Sequence, residues 1–192
     1  MPAFTKETVQ QLKKGQATIA DLFGIDAKQV AALLITGHTL WQQGELQKAK
    51  NIFAGLALLD PANPYLHAML GSIHQKQGSY DAAVQQYNWA LQNFPEDAQS
   101  LTNRAECYLK LGKFQEASND LKKTIALDPD RKNPATLRAS LLLVSTHAAL
   151  QLVKTAELMR SRNLKLSFNS KSEPRRHYGY QQRFKTRNST NN

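Results

Sequence analysis

The sequence predicts an all-α solenoid of three stacked helical hairpins, with a short helical segment before them and one capping helix after. Three observations carry that prediction. Small residues recur at a 34-residue step, as Gly44, Gly78 and Gly112, as Ala49, Ala83 and Ala117, and as Gly37, Gly71 and Ala105. Large residues keep the same step, as Phe53, Tyr87 and Leu121 and as Leu40, His74 and Tyr108. Pro61, Pro95 and Pro129 close each period. Three unrelated amphipathic hairpins would not hold one register through so many columns.

Each element has a local reason. Residues 5–14 carry Val9 and Leu12 among polar neighbours and predict a short helix, marginal on its own and broken by Gly15. A second short apolar segment holds Ile19, Leu22 and Phe23 and ends at Gly24. Asp26, with Gln29 three residues on, predicts a capping box that starts the first hairpin, over residues 27–43 and 45–58. Asn63-Pro64, a cap followed by proline at the first helical position, opens the second hairpin over 64–77 and 80–92. The third covers 97–111 and 114–127. Within each hairpin the first glycine column lets helix A lie close to helix B. The second ends helix A in the left-handed region, where glycine costs least. The alanines mark the tightest crossing, and the prolines close helix B.

After Pro129 the register stops. A fourth period would put a small residue near 139 and a glycine near 146; the chain has Ala139 but Thr146. Residues 135–161 instead predict one helix with Leu137, Leu141, Val144, Ala148, Leu152, Ala156 and Met159 on its apolar stripe, widened by Leu142, Leu143, Leu150 and Val153. Such a helix caps a solenoid. Beyond 162 apolar periodicity vanishes and Ser, Asn, Gln and Arg dominate, which predicts a disordered tail. The expected divisions are therefore 1–26 (helical, available for dimerisation), 27–129 (repeats), 130–162 (cap) and 163–192 (basic tail).

The formal net charge of +10 is a property of that tail. Residues 160–192 hold nine Lys/Arg against Glu173 alone, so the repeats are nearly neutral. The tail interleaves cations with Tyr178, Tyr180 and Phe184, a composition open to RNA or an anionic surface, although a solvated extension that keeps the protein soluble is the favoured account. No run of 18 apolar residues and no leader-like N-terminus is visible, so neither a membrane span nor a secretory signal is expected. Cys107 is the only cysteine and reads as a small buried hydrophobe. Phosphate-loop, zinc-protease and nucleophile-elbow motifs are all missing. His67 and His74 occupy large-residue columns and read as packing groups. The sequence therefore predicts no enzyme, no catalytic residue, no cofactor and no metal.

The column order, large–x2–Leu–Gly–x2–Tyr, then Ala–x3–Phe, then Pro, resembles the tetratricopeptide repeat. Arrays of that kind line their concave side with helix A residues. Helical spacing names them here: Leu34, His38 and Trp41 in repeat one, Tyr65, Ala68, Ser72 and Gln75 in repeat two, Thr102, Glu106 and Leu109 in repeat three. This surface mixes aliphatic and aromatic groups with scattered donors, and suits an extended peptide with a few aliphatic anchors. Repeats that grip a C-terminal carboxylate set Lys, Asn and Arg at positions held here by Leu34, His38, Met69, Gln99 and Asn103. That clamp is absent.

Three features together resemble the class II type III secretion chaperones. Gly15-Gln16-Ala17-Thr18-Ile19-Ala20-Asp21-Leu22-Phe23 is similar to that family's N-terminal Gly-rich segment, with two of the usual glycines replaced. Tyr80-Asp81 with Ala83, and Ala105-Glu106-Cys107-Tyr108-Leu109, resemble its repeat motifs. A single capping helix follows three repeats. The resemblance implies an ATP-independent chaperone of the bacterial cytoplasm that keeps a hydrophobic, membrane-inserting translocator soluble and export-competent. It implies a Pro/Leu-containing client segment in the groove and a homodimer through the N-terminal region. The family's groove aromatics correspond to Leu34, His38 and Trp41, of which only Trp41 is aromatic in the family's sense. Two other functions stay open at this stage: a general repeat scaffold, and a nucleic-acid adaptor working through the tail.

Overall fold

Asp26 begins the ordered array. In the computed structural model, which describes residues 6–14 and 19–172, its carboxylate accepts from the Gln29 amide at 2.8 Å while the Gln29 side chain accepts from the Asp26 amide at 2.9 Å. This is the predicted capping box, and it opens α3 (Ala27–Gln42). Before it come two short helices, α1 (Lys6–Lys13) and α2 (Ile19–Leu22). Residues 15–18, which carry part of the N-terminal motif, lie outside the described residues. The hairpins follow as α3 with α4 (Leu46–Leu59), α5 (Pro64–Lys76) with α6 (Tyr80–Asn93), and α7 (Ala98–Lys110) with α8 (Phe114–Leu127). The last helix, α9, runs Pro134–Ser172, ten residues past the expected end of the cap. The tail from 173 to 192 is outside the described residues.

The repeat columns have the packing roles their chemistry predicts. Gly44, Gly78 and Gly112 stand at φ of +81°, +76° and +72°, ending α3, α5 and α7. A Cβ on Gly37 would meet the Phe53 ring at 3.0 Å, and one on Gly71 would meet the Tyr87 ring at 2.8 Å. In repeat three the ring column holds Leu121, and there the glycine column holds Ala105; both are fully buried in one cluster. Bulk removed from helix B is returned on helix A, so the inter-helix space keeps its volume. Ala49, Ala83 and Ala117 have no exposed surface.

A buried ion pair joins α7 and α8. Arg104 of α7 donates twice to Asp120 of α8, at 2.8 and 2.7 Å, and once to Asn88 of α6 at 2.7 Å. Asp120 is buried, so the pair is worth keeping only because its geometry is bidentate and fully bonded. Repeat columns gave no sign of it.

The chain divides into two compact units, residues 1–151 and 152–192. Within the first, α9 departs from the predicted cap. Asn133 caps it and Pro134 follows, as Asn63 and Pro64 do in α5. This start lies two residues beyond the 34-residue step, the extra length taken up by a loop in which Arg131 has φ +55°. Counted from its own cap, α9 is another helix A. Ala135, Thr136, Ala139 and Thr146 are buried, and Leu142 and Leu143 pack on the repeat-three cluster. The expected stripe is corrected accordingly: Leu137, Leu141 and Val144 are exposed, Leu141 by 75%. They correspond to His67, Gly71 and His74, of which the first two face helix B in repeat two, and no helix B follows α9 among the described residues. Pro134–Arg162 is also the one described stretch long and apolar enough to cross a membrane, by length and composition alone. Counting unbroken apolar runs missed it, since Arg138, Ser140 and Thr146 interrupt the run.

Candidate peptide-binding groove

The repeat-one end of the inner face is built from α3 and α5. His38 lies at its centre, with its ring edge-on to Phe53 at 5.8 Å and to Trp41 at 6.5 Å, and its Nε2 hydrogen-bonded to the Tyr65 hydroxyl. The Lys76 ammonium caps the Trp41 ring at 3.7 Å from the centroid, a cation–π contact that covers the indole without using its polar edge. The Trp41 Nε1–H is buried and has no hydrogen-bond partner among the described residues. Leu34 and Tyr65 border a cavity of about 200 Å³, walled by Ala20, Val30, Leu56, Leu59 and Leu66 with Asp60 and Asn63 at its edge. Leu34 and Trp41 both pack on the repeat-one core while keeping part of their surface open. Ala68 and Ser72 are half-buried between the two ends.

The repeat-three end is occupied differently. Gln75 accepts from the Tyr87 hydroxyl at 2.8 Å and donates to Glu106 at 2.8 Å. Glu106 pairs with Arg138 of α9 at 3.0 Å, and Arg138 also donates to Asn103. Two expected polar groups of the groove, Gln75 and Glu106, are thus joined in a network that ties α5, α6, α7 and α9. Leu109 borders an open cleft of about 480 Å³ with Gln75, Tyr80, Glu106, Lys110 and Leu142. Thr102 is not on the surface at all. It has no exposed area, and its hydroxyl donates to the Ala98 carbonyl at 2.8 Å beneath Ala135 of α9. Helical spacing put it on the inner face; the arrival of α9 in the helix A position buried it.

Arg138 and Leu142 are inner-face residues that the sequence reading did not name. They lie 70 residues after Ala68 and Ser72, two more than two periods. The Asn-Pro cap repeated at Asn133-Pro134 is the signal that would have found them. Burial pushes the Cys107 thiol up to about 12, with the Glu106 charge adding to it. Burial likewise holds the Tyr87 hydroxyl well above the ordinary tyrosine range, with Cys107 adding. His67 is a packing group, stacked on Trp89 at 4.0 Å with its Nδ1 at 2.8 Å from Gln86.

Residues 68–131 match the family model described as tetratricopeptide repeat. The fold is a tetratricopeptide array. Among solved structures, the array resembles the translocator chaperone SycD of Yersinia enterocolitica, with a TM-score of 0.61 and 26% identity over 67% of this chain and 98% of that one. It also resembles PcrH of Pseudomonas aeruginosa in complex with the chaperone-binding region of PopD, with a TM-score of 0.62 and 25% identity over 65% and 96%. A sequence relative, the Hsp70-Hsp90 organizing protein of Triticum aestivum, is 37% identical over 91 residues, which are 47% of this chain and 16% of the relative. The chain spans less than a fifth of that relative's length.

Proposed function

We propose that this array is a cytoplasmic chaperone that holds a hydrophobic type III secretion translocator in its concave groove before export. One observation carries the choice of ligand. The open part of the inner face, around Leu34, His38, Trp41 and Tyr65, is aromatic and aliphatic beside an apolar cavity, while the polar part is bonded to itself. An extended client segment places an aliphatic anchor at the Leu34–Tyr65 cavity and runs past Trp41, Ala68 and Ser72 toward Leu109. Its other apolar regions stay masked from aggregation for as long as the segment is held, with no nucleotide consumed. The likeness to SycD and to PcrH with its PopD segment supports this reading.

The sequence match to the Hsp70-Hsp90 organizing protein favours a second reading, an adaptor for chaperone C-termini. Leu34, His38, Met69, Gln99 and Asn103 stand where a carboxylate clamp needs cations and amides, and Met69 is buried. Titration of two peptides separates the readings: the PopD chaperone-binding region, and the HSP90 peptide SRMEEVD that is bound by the first tetratricopeptide domain of RPAP3. Binding of the first with no measurable binding of the second is the expected result. The reverse preference would replace the translocator reading with the adaptor.

A further inference from the structure

The described surface of α9 beyond residue 151 has an unusual composition. From Leu152 to Arg162 every residue of α9 is exposed. Leu152, Leu158 and Met159 expose 70%, 69% and 68% of their surfaces, and Val153 is exposed as well. Soluble surfaces do not keep aliphatic side chains together in this way unless something covers them. At 100° per residue these four side chains spread round most of the helix circumference, wider than the single stripe a partner helix would cover. Leu152, Ala156 and Met159 form one line, and Arg160 and Arg162 fall about 80° to either side of it.

Charge points to the occupant. Residues 152–192 carry ten Lys/Arg against Glu157 and Glu173, and five of the cations follow Ser172, interleaved with Tyr178, Tyr180 and Phe184. We propose that the exposed stretch of α9 from Leu152 to Arg162 binds the surface of an anionic lipid bilayer. Leu152, Val153, Leu158 and Met159 enter the interfacial region, and Arg160 and Arg162 lay their aliphatic stems along it with their charges at the phosphates. RNA would satisfy the cations but would leave the aliphatic groups in water, so lipid is the ligand that accounts for both. The inference stands independently of the client proposed for the groove.

The test is co-sedimentation of the full chain with phosphatidylcholine vesicles containing about one third phosphatidylglycerol, beside pure phosphatidylcholine vesicles and a poly-uridine RNA, at low and high salt. Binding to the anionic vesicles alone, weakened by salt, is expected. Leu158→Ser with Met159→Ser should weaken it roughly tenfold, and Arg160→Gln with Arg162→Gln roughly thirtyfold at low salt. All four side chains are exposed, so the melts of these variants should match wild type, which keeps a binding loss interpretable. Equal binding to neutral vesicles, no loss in the Leu158/Met159 variant, or uptake of RNA with the vesicles left free would each overturn the proposal.

Discussion

The two ends of the inner face are made of equivalent positions and do opposite things. At repeat one, the positions of Leu34, His38 and Trp41 hold apolar and aromatic groups whose exposed sides are left to solvent beside an apolar cavity. At repeat three, the same positions hold Thr102, Glu106 and Leu109, of which the first is buried and the second is bonded to Gln75 and Arg138. The difference comes from what precedes and follows each repeat. Repeat one has a cavity against α2, whereas repeat three is overlain by α9, whose Arg138 draws the carboxylate into the structure. A groove is therefore not a periodic property even when its sequence columns are.

Four measurements break or sharpen that contrast. The largest effect belongs to the floor beneath the repeat-one end: Leu70→Ala, in the buried repeat-one/two cluster, should cost about 2–5 kcal/mol in a denaturant titration. A loss under 1 kcal/mol would mean the inner face does not rest on this core. Next comes Trp41→Ala, which should weaken binding of the PopD region by roughly thirtyfold, or about 2 kcal/mol. Its melt should fall as well, because one side of the indole packs on the core, so affinity has to be read well below the variant's midpoint. Unchanged affinity would remove the repeat-one end as the binding site.

Glu106→Gln inverts the pattern. It should lower stability by about 1 kcal/mol, by removing the ion pair with Arg138, while client affinity moves less than about twofold. An affinity loss as large as that of Trp41→Ala would show that the two ends are equivalent after all. The smallest effect under ordinary conditions is in alkali. The folded-state pKa of Cys107 is raised to about 12, above its unfolded value, so the neutral thiol is favoured in the fold. That stability is present below the unfolded pKa and is lost as pH rises from about 9 toward 12, a range in which Tyr87 adds a loss of the same sign. Melts taken from pH 8 to 11 should fall, and Cys107→Ala should flatten part of the decline. At pH 8 a thiol reagent should label Cys107 only on unfolding; rapid labelling of the native chain would contradict its burial.

Much of the array was legible in the sequence because its determinants are local. The capping box at Asp26, the Asn63-Pro64 start, the left-handed glycines and the small-over-large pairing of Gly71 with Tyr87 each depend on residues within one hairpin. The inner-face positions followed from helical spacing, and at the repeat-one end Leu34, His38 and Trp41 are half-buried. What spacing could not reveal was decided by neighbours distant in sequence. Arg104, Asp120 and Asn88 meet from three different helices, and no column marks a pair that occurs once. Two extra residues in the loop before α9 turned that helix, burying Thr136 and Ala139 and leaving Leu137, Leu141 and Val144 outside. That turn also buried Thr102 and carried Arg138 to Glu106. A helix advances 100° per residue, so a two-residue offset rotates every side chain by more than half a turn. The sequence by itself determined which helices form and how each hairpin closes. Which face of the last helix is core was decided only by packing, because its stripes are apolar on both sides and the loop length alone sets which one meets repeat three.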